Sequence, residues 1–222
     1  MSNVVFFDGV DDYVNCGNGV SLQITGPFTM AARFKLIKLD LGGCACGKAT
    51  GAVPTGGYII YLYASAGVWQ WSCWITDGAG VDELRTNKTT WDINMWHQVA
   101  ATYENAVNGF KIYVDGQLDK QKTPAIVSIG NNAIPFRCGT FDTIQILRGY
   151  EAEVQVYNRV LNPTEILYNF LHPSNPIRRG IQLNLTQDSI QGAQWLDLSG
   201  NNNHGTYVGG ALPMTANLLA GR

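Results

Sequence analysis

The sequence predicts an all-β protein, built as a two-sheet antiparallel sandwich with one short helix near the end of the domain. Short apolar segments of strand length recur along the 222 residues, and Gly, Pro, Asn or Asp separates them. Apolar residues make up 45% of the chain, charged residues only 14%, and Gly numbers 25. This composition is typical of strands and turns, and the chain is long enough to bury a large core without disulfides.

The predicted strands are short and follow one another closely. Ala66-Gly67 and Asp115-Gly116 are typical of hairpin turns, since Gly accepts the positive φ that such turns need. A Gly-rich loop is predicted over residues 42–57. The predicted strands are 4–7, 28–37, 58–64, 68–75, 81–86, 95–104, 110–114, 117–121, 136–139, 144–148, 151–157 and 181–185.

The single predicted helix begins after residue 162. Asn162 is a good N-cap residue, Pro163 suits the first helical position, and Glu165 completes a capping-box pattern. Apolar residues at helical spacing follow, and Pro173 ends the helix.

Charge and hydropathy exclude several classes of partner. The net charge is −2, so no nucleic-acid partner is expected. No window has the length and apolarity of a membrane span, and the N-terminal residues lack the signal-peptide pattern. We therefore expect no membrane partner, and we expect synthesis in the cytosol without a signal peptide.

The five cysteines favour free thiols in a reducing compartment. Their odd number argues against a complete disulfide framework. Cys73 and Cys138 lie in apolar strand patterns and are predicted to be buried. Cys44 and Cys46 have a metal-like spacing, but no second pair of ligands stands near them, which argues against zinc.

Several segments, in this order, resemble the laminin G type of the concanavalin A-like lectin family. The resemblance covers residues 4 to about 170 and implies a jelly roll of two sheets. Members of the wider family include binding domains and glucanases. The segments that carry the resemblance are 7–14 (FDGVDDYV), 28–34 (FTMAARF), 96–103 (WHQVAATY), 112–116 (IYVDG) and 153–161 (EVQVYNRVL).

The resemblance divides the chain into a jelly-roll core, residues 1–172, and a C-terminal extension, residues 173–222. Residues 195–206 are similar to a segment that in this family usually precedes the opening motif. We therefore expect the extension to pack on the sandwich in cis or on a neighbouring copy. Packing on a neighbour would build an oligomer by segment exchange.

A calcium site is one interpretation of the acidic opening motif. Asp8, Asp11 and Asp12 crowd one turn, and hard cations prefer such oxygen ligands. The resemblance adds Glu153 as a fourth metal ligand, but Ala152 stands where the family usually has Asp. The alternative is that the aspartates form Asx turns and bind no cofactor.

A cluster of aromatic residues on one predicted hairpin is a candidate ligand-binding platform. Aromatic rings combine an apolar face with a polar tip, which suits sugar recognition. Strand alternation puts Trp69 and Trp71 on one face and Trp74 on the other, so one set belongs to the core. The candidate residues are Tyr61, Tyr63, Trp69, Trp71 and Trp74.

No catalytic residues are predicted, and the protein is expected not to be an enzyme. Related glucanases carry Glu-x-Asp-x-Glu on one strand, and this sequence has no such run. Glu151 and Glu153 come nearest and are expected to share a strand face. A retaining glycosidase needs two carboxyl groups about 5–5.5 Å apart in a cleft. The family resemblance places Glu151 and Glu153 at the start of a strand and not in a cleft.

The leading hypothesis is a non-catalytic structural or adhesion protein that displays a lectin-like sandwich. It would be a virion or phage component, either a capsid decoration or a tail-associated protein, and would lie at the virion surface. The expected partners are other copies, or other particle proteins, bound through the extension, together with surface glycans. The alternatives are a stand-alone carbohydrate-binding lectin module and a glycoside hydrolase.

Overall fold

The chain folds into two antiparallel sheets that pack face to face. The structure is a computed structural model, and it describes residues 2–39, 42–49, 56–141 and 145–216. The predicted fold class is therefore confirmed. The strands, in chain order, are β1 (Ser2–Asp8), β2 (Tyr13–Asn15), β3 (Phe28–Leu36), β4 (Gly43–Lys48), β5 (Gly57–Ser65), β6 (Val68–Thr76), β7 (Val81–Arg85), β8 (Trp96–Tyr103), β9 (Phe110–Val114), β10 (Gln117–Lys122), β11 (Arg137–Cys138), β12 (Arg148–Tyr157), β13 (Ile181–Leu185), β14 (Ile190–Gln191), β15 (Gln194–Trp195), β16 (Gly205–Val208) and β17 (Leu212–Ala216). The helix α1 is Pro163–Leu171, and single 3-10 turns lie at Val20–Leu22 and Gln187–Ser189.

The two sheets share one core. Sheet A has the order β10-β9-β8-β3-β12-β1-β17, and β13 pairs with the part of β12 that β1 leaves free. Sheet B has the order β14-β15-β16-β2-β11-β4-β5-β6-β7. The inner faces bury large rings, among them Phe7, Phe34 and Trp71. We call the opposite face of each sheet its outer face.

The C-terminal extension contributes strands to both sheets of its own chain. β17 pairs with β1, and β16 pairs with β2. Trp195 is completely buried in the shared core. Gly205 lies so close to β2 that a Cβ atom there would come within 2.3 Å of Val14 Cγ1, so a larger residue does not fit. In this chain the extension packs in cis, and exchange with a neighbouring copy stays a prediction.

The helix has the capping box that the sequence predicts. The Asn162 side chain accepts a hydrogen bond from the Glu165 backbone N–H at 3.0 Å, and Glu165 Oε2 accepts one from the Asn162 N–H at 2.9 Å. The helix packs its buried Ile166 on the outer face of sheet A, in a cluster that contains Tyr157. In the described part of the chain, no helix is long and apolar enough to cross a membrane.

The region around the paired cysteines differs from the prediction. Residues 43–48 form β4, which pairs with β5 and β11, so the predicted loop is wrong there. Residues 50–55 of that loop lie outside the described residues. All five cysteines are buried free thiols, whereas burial is predicted from the sequence only for Cys73 and Cys138. Burial raises the pKa of Cys44 and Cys46.

Candidate functional site

The outer face of β5, β6 and β7 carries half-buried aromatic and polar side chains together. Tyr61 faces Ser72 across the β5–β6 pair, and Tyr63 faces Gln70. Trp74 of β6 faces Glu83 of β7. We call this surface the aromatic face; it consists of Tyr61, Tyr63, Gln70, Ser72, Trp74, Glu83 and Arg85, with Phe141 at its margin.

The structure divides the five predicted ligand-binding aromatics between two faces. Tyr61 and Trp74 pack partly exposed on the outer cluster around Phe141, and Tyr63 is also half-buried. Trp71 is 0% exposed, and Trp69 packs against the same inner core. The ligand-binding prediction is therefore wrong for Trp71, because its ring lies in the interior of the sandwich. Trp69 is half-buried against the same core, and its role stays a prediction. The predicted alternation of Trp69 and Trp71 against Trp74 is confirmed.

Glu83 is the polar centre of the aromatic face. Its Oε1 accepts hydrogen bonds from the Tyr61 hydroxyl and from Ser72 Oγ, the latter at 2.8 Å. Its Oε2 accepts one from Arg85 Nη2 at 2.7 Å. Burial opposes ionisation, but the hydrogen bonds from Arg85, Tyr61 and Ser72 outweigh it and lower the pKa of Glu83. Glu83 is therefore a fixed, ionised carboxylate.

Arg85 lies flat against an aromatic ring beside this carboxylate. Its guanidinium carbon is 3.4 Å from the centroid of the Tyr63 ring. The hydrogen bond to Glu83 holds the other side of the group, and this bond raises the pKa of Arg85 further above its ordinary value. Stacking and pairing together fix the guanidinium plane at the surface.

Sequence reasoning missed the polar half of this face. Glu83, Arg85 and Ser72 had no assigned role, although alternation along β7 places Glu83 and Arg85 on the same face. The alternation of residues 81–85 puts Glu83 and Arg85 on one face, but which side chains they meet there depends on the strand beside β7. That strand is β6, and the hydrogen-bond partner Tyr61 lies one strand further away, on β5.

The three aspartates of the opening motif do lie together. Asp8, Asp11 and Asp12 each offer a carboxylate oxygen, and these atoms all lie within 4.8 Å of one another. Asp12 Oδ2 accepts a hydrogen bond from the Asp8 backbone N–H at 2.8 Å, and Asp12 Oδ1 accepts one from Gly210. Burial, with added repulsion from Asp8 and Asp11, raises the pKa of Asp12 despite these bonds.

Glu153 is not part of that acidic cluster. Asp8 pairs with Arg148 at the start of β12, whereas Glu153 lies five residues further along, on the order of 15 Å away at about 3.3 Å per residue. Its carboxylate has no hydrogen-bond partner among the described residues. The structure thus groups three of the four predicted metal ligands and separates the fourth.

Glu151 and Glu153 point to opposite faces of sheet A. A register shift between them makes Glu151 face Phe34 of the core, whereas Glu153 faces Arg33 on the outer side. The expectation that they share a face is wrong, because the extra residue Ala152 inverts the alternation. These two carboxylates cannot flank one glycosidic bond.

A lectin-like β-sandwich is the class that this fold and its aromatic outer face define. A family model described as the concanavalin A-like lectin/glucanases superfamily, of the laminin G type, matches residues 8–167. The chain therefore belongs to this family, as its motifs suggested. No curated protein matches the chain.

Solved structures share this fold at low sequence identity. A putative carbohydrate-binding protein from Bacteroides ovatus is 19% identical with a TM-score of 0.73; the match covers 97% of this chain and 60% of that one. A heptameric SAP-like pentraxin from Limulus polyphemus is 11% identical with a TM-score of 0.63, covering 99% and 97%. The CBM40 domain of a Ruminococcus gnavus sialidase, bound to α2,3 sialyllactose, is 14% identical with a TM-score of 0.54, covering 73% and 95%.

Proposed function

We propose that this chain is a non-catalytic carbohydrate-binding module and that the aromatic face is its binding surface. The observation that carries the proposal is the combination of half-exposed rings with a fixed carboxylate and guanidinium on one sheet face. Sugar rings stack on aromatic faces, while hydroxyl groups need oriented hydrogen-bond partners. The carbohydrate-binding protein from Bacteroides ovatus and the sialyllactose-bound domain support a glycan as the ligand class.

Among its described residues, the aromatic face carries no pair of carboxylates that could flank one glycosidic bond, which supports a binding role over hydrolysis there. Glu83 and Arg85 are the only charged residues at the outward positions of β5–β7, so no second acid stands beside Glu83 there. Glycosidases of both stereochemical classes need two carboxyl groups within about 10 Å across one bond. Incubation with a panel of polysaccharides is expected to release no reducing ends, and release that Glu83→Gln abolishes would refute the binding-only role.

Replacement of Trp74 tests the proposed surface. Trp74→Ala removes the largest exposed ring of the aromatic face and is expected to weaken glycan binding on an array about tenfold. Tyr150→Ala is the matched control, because Tyr150 is a half-buried ring on the outer face of sheet A. Equal binding by wild type and Trp74→Ala would place the site elsewhere.

We further propose calcium as a structural ion at Asp8, Asp11 and Asp12. Their oxygens fit the ligand chemistry of a hard cation, and a cation would relieve the repulsion from Asp8 and Asp11 that adds to burial in raising the pKa of Asp12. The role as a virion or phage component, with self-association through the extension, stays a separate prediction of the sequence.

A further inference from the structure

We infer that the ligand of the aromatic face is a neutral glycan of at least two sugar residues, oriented by Glu83 and Arg85 acting as a self-neutralised pair. This inference rests on the proposed function and specifies the ligand class for the same site. Three features of the surface lead to it: its charge, its hydrogen-bonding groups and its length.

The charge of the aromatic face is balanced internally. Arg85 Nη2 and Glu83 Oε2 are 2.7 Å apart, and no other charged side chain occupies an outward position of β5–β7. An acidic sugar attracted to Arg85 would also meet the ionised Glu83. The pair therefore offers no net attraction to an anion, and binding is expected to change little with ionic strength.

The hydrogen-bonding groups suit hydroxyls rather than carboxylates. Glu83 Oε2, which among the described residues accepts only the bond from Arg85, supplies a further acceptor site, and Arg85 supplies N–H donors beside it. A sugar hydroxyl both donates and accepts, so neighbouring hydroxyls can bond to the carboxylate and the guanidinium together. The Tyr61 hydroxyl already donates to Glu83, which makes Tyr61 a positioning residue.

The length of the face exceeds one sugar ring. Trp74 faces Ile59, and the stack of Arg85 on Tyr63 lies four residues further along β5, about 13 Å away at 3.3 Å per residue. Trp74 and the guanidinium–Tyr63 stack are two separate flat surfaces. A single pyranose reaches only one of them, so longer glycans gain a second contact.

A glycan array carrying neutral and acidic glycans of increasing length tests the inference. Wild type is expected to bind neutral glycans of two or more residues, with monosaccharides at least tenfold weaker. Trp74→Ala is expected to reduce these signals about tenfold, and Tyr150→Ala is expected to leave them unchanged. Binding confined to sialylated, sulfated or uronate glycans, and lost in Trp74→Ala, would overturn the neutral class while leaving the proposed function intact.

A charge change at Glu83 sharpens the test. Glu83→Gln leaves Arg85 as an unbalanced cation, so acidic glycans are expected to gain at least threefold in signal relative to neutral ones, and that gain should disappear at high salt. An unchanged preference in a folded Glu83→Gln variant would refute the self-neutralised pair. No glycan binding by wild type would overturn both this inference and the proposed function.

Discussion

Glu83 and Glu153 lie on the outer faces of the two sheets, and their surroundings are opposite. Glu83 is 23% exposed in its side chain and accepts three hydrogen bonds, which lower its pKa. Glu153 is 2% exposed and has no hydrogen-bond partner among the described residues; burial raises its pKa to about 7, although Arg33 opposes the rise. The same residue type thus has a lowered pKa on one face and a raised pKa on the other.

The two carboxylates differ because the two outer faces differ in how far they are covered. On sheet B, hydrogen bonds keep the Glu83 carboxylate ionised at a partly exposed surface. On sheet A, the helix and the C-terminal extension cover the outer face around β12, and burial works against ionisation. The aromatic face, which we propose as the ligand-binding surface, is partly exposed, whereas the outer face of sheet A around β12 is covered by the chain's own later segments.

The largest expected effect compares two tryptophans from two regions, Trp195 in the shared core and Trp74 on the aromatic face. Trp195→Ala removes a completely buried ring of the extension, whose Nε1 donates to the Thr186 carbonyl at 2.8 Å. We expect the free energy of unfolding to fall by about 3–5 kcal/mol. Trp74→Ala on the aromatic face should cost about 1 kcal/mol, because its ring is already partly in water. Equal losses in urea denaturation would contradict the division between the two regions.

The next effect is the pH dependence that Glu153 imposes. Its pKa rises from 4.5 to about 7 on folding, so between these values the unfolded chain has lost a proton that the folded chain keeps. The free energy of unfolding therefore falls as the pH rises through this window, by roughly 3 kcal/mol. Glu153→Gln should flatten the profile of stability against pH there. A variant profile parallel to wild type would show that Glu153 does not titrate as described.

The pH dependence of stability that Glu83 contributes should have the opposite sign and be smaller. Its pKa is lowered on folding, so its contribution to stability is present above the unfolded pKa of about 4.5 and is lost as the pH falls through the folded value. The expected contribution is about 1 kcal/mol, because the pair is partly exposed. Thermal unfolding of Glu83→Gln below pH 4.5 measures it; greater acid sensitivity than wild type would reverse the assignment.

The smallest expected effect is that of calcium on the acidic cluster. At a calcium concentration equal to the dissociation constant, binding adds about 0.4 kcal/mol to the free energy of unfolding. Asp11→Asn should abolish this gain, whereas Glu153→Gln should keep it, because Glu153 lies outside the cluster. Loss of the calcium response in both variants would restore Glu153 as a ligand.

Local sequence patterns predicted the fold and part of the site. The capping box at Asn162 and Glu165 depends only on neighbouring residues, and it was predicted correctly. The alternation along β6 also separated Trp74 from Trp71 correctly. Both features follow from the geometry of one element.

Features that depend on distant partners escaped prediction. The extra residue Ala152 inverts the alternation between Glu151 and Glu153, and only the pairing of β12 with β3 shows it. β4 is a strand because β5 and β11 pair with it, although its sequence is rich in Gly. The place of Glu83 in the aromatic face depends on its hydrogen bond with Tyr61, which lies on a strand that does not neighbour β7.

The pairing of β1 with β17 places Ser2 beside Ala216. Any cargo or surface tethered near either residue would therefore leave the molecule from one corner of sheet A. A fluorophore or bead attached there would lie beside sheet A rather than on the aromatic face of sheet B. Either of these two positions therefore allows the protein to be attached without covering the aromatic face.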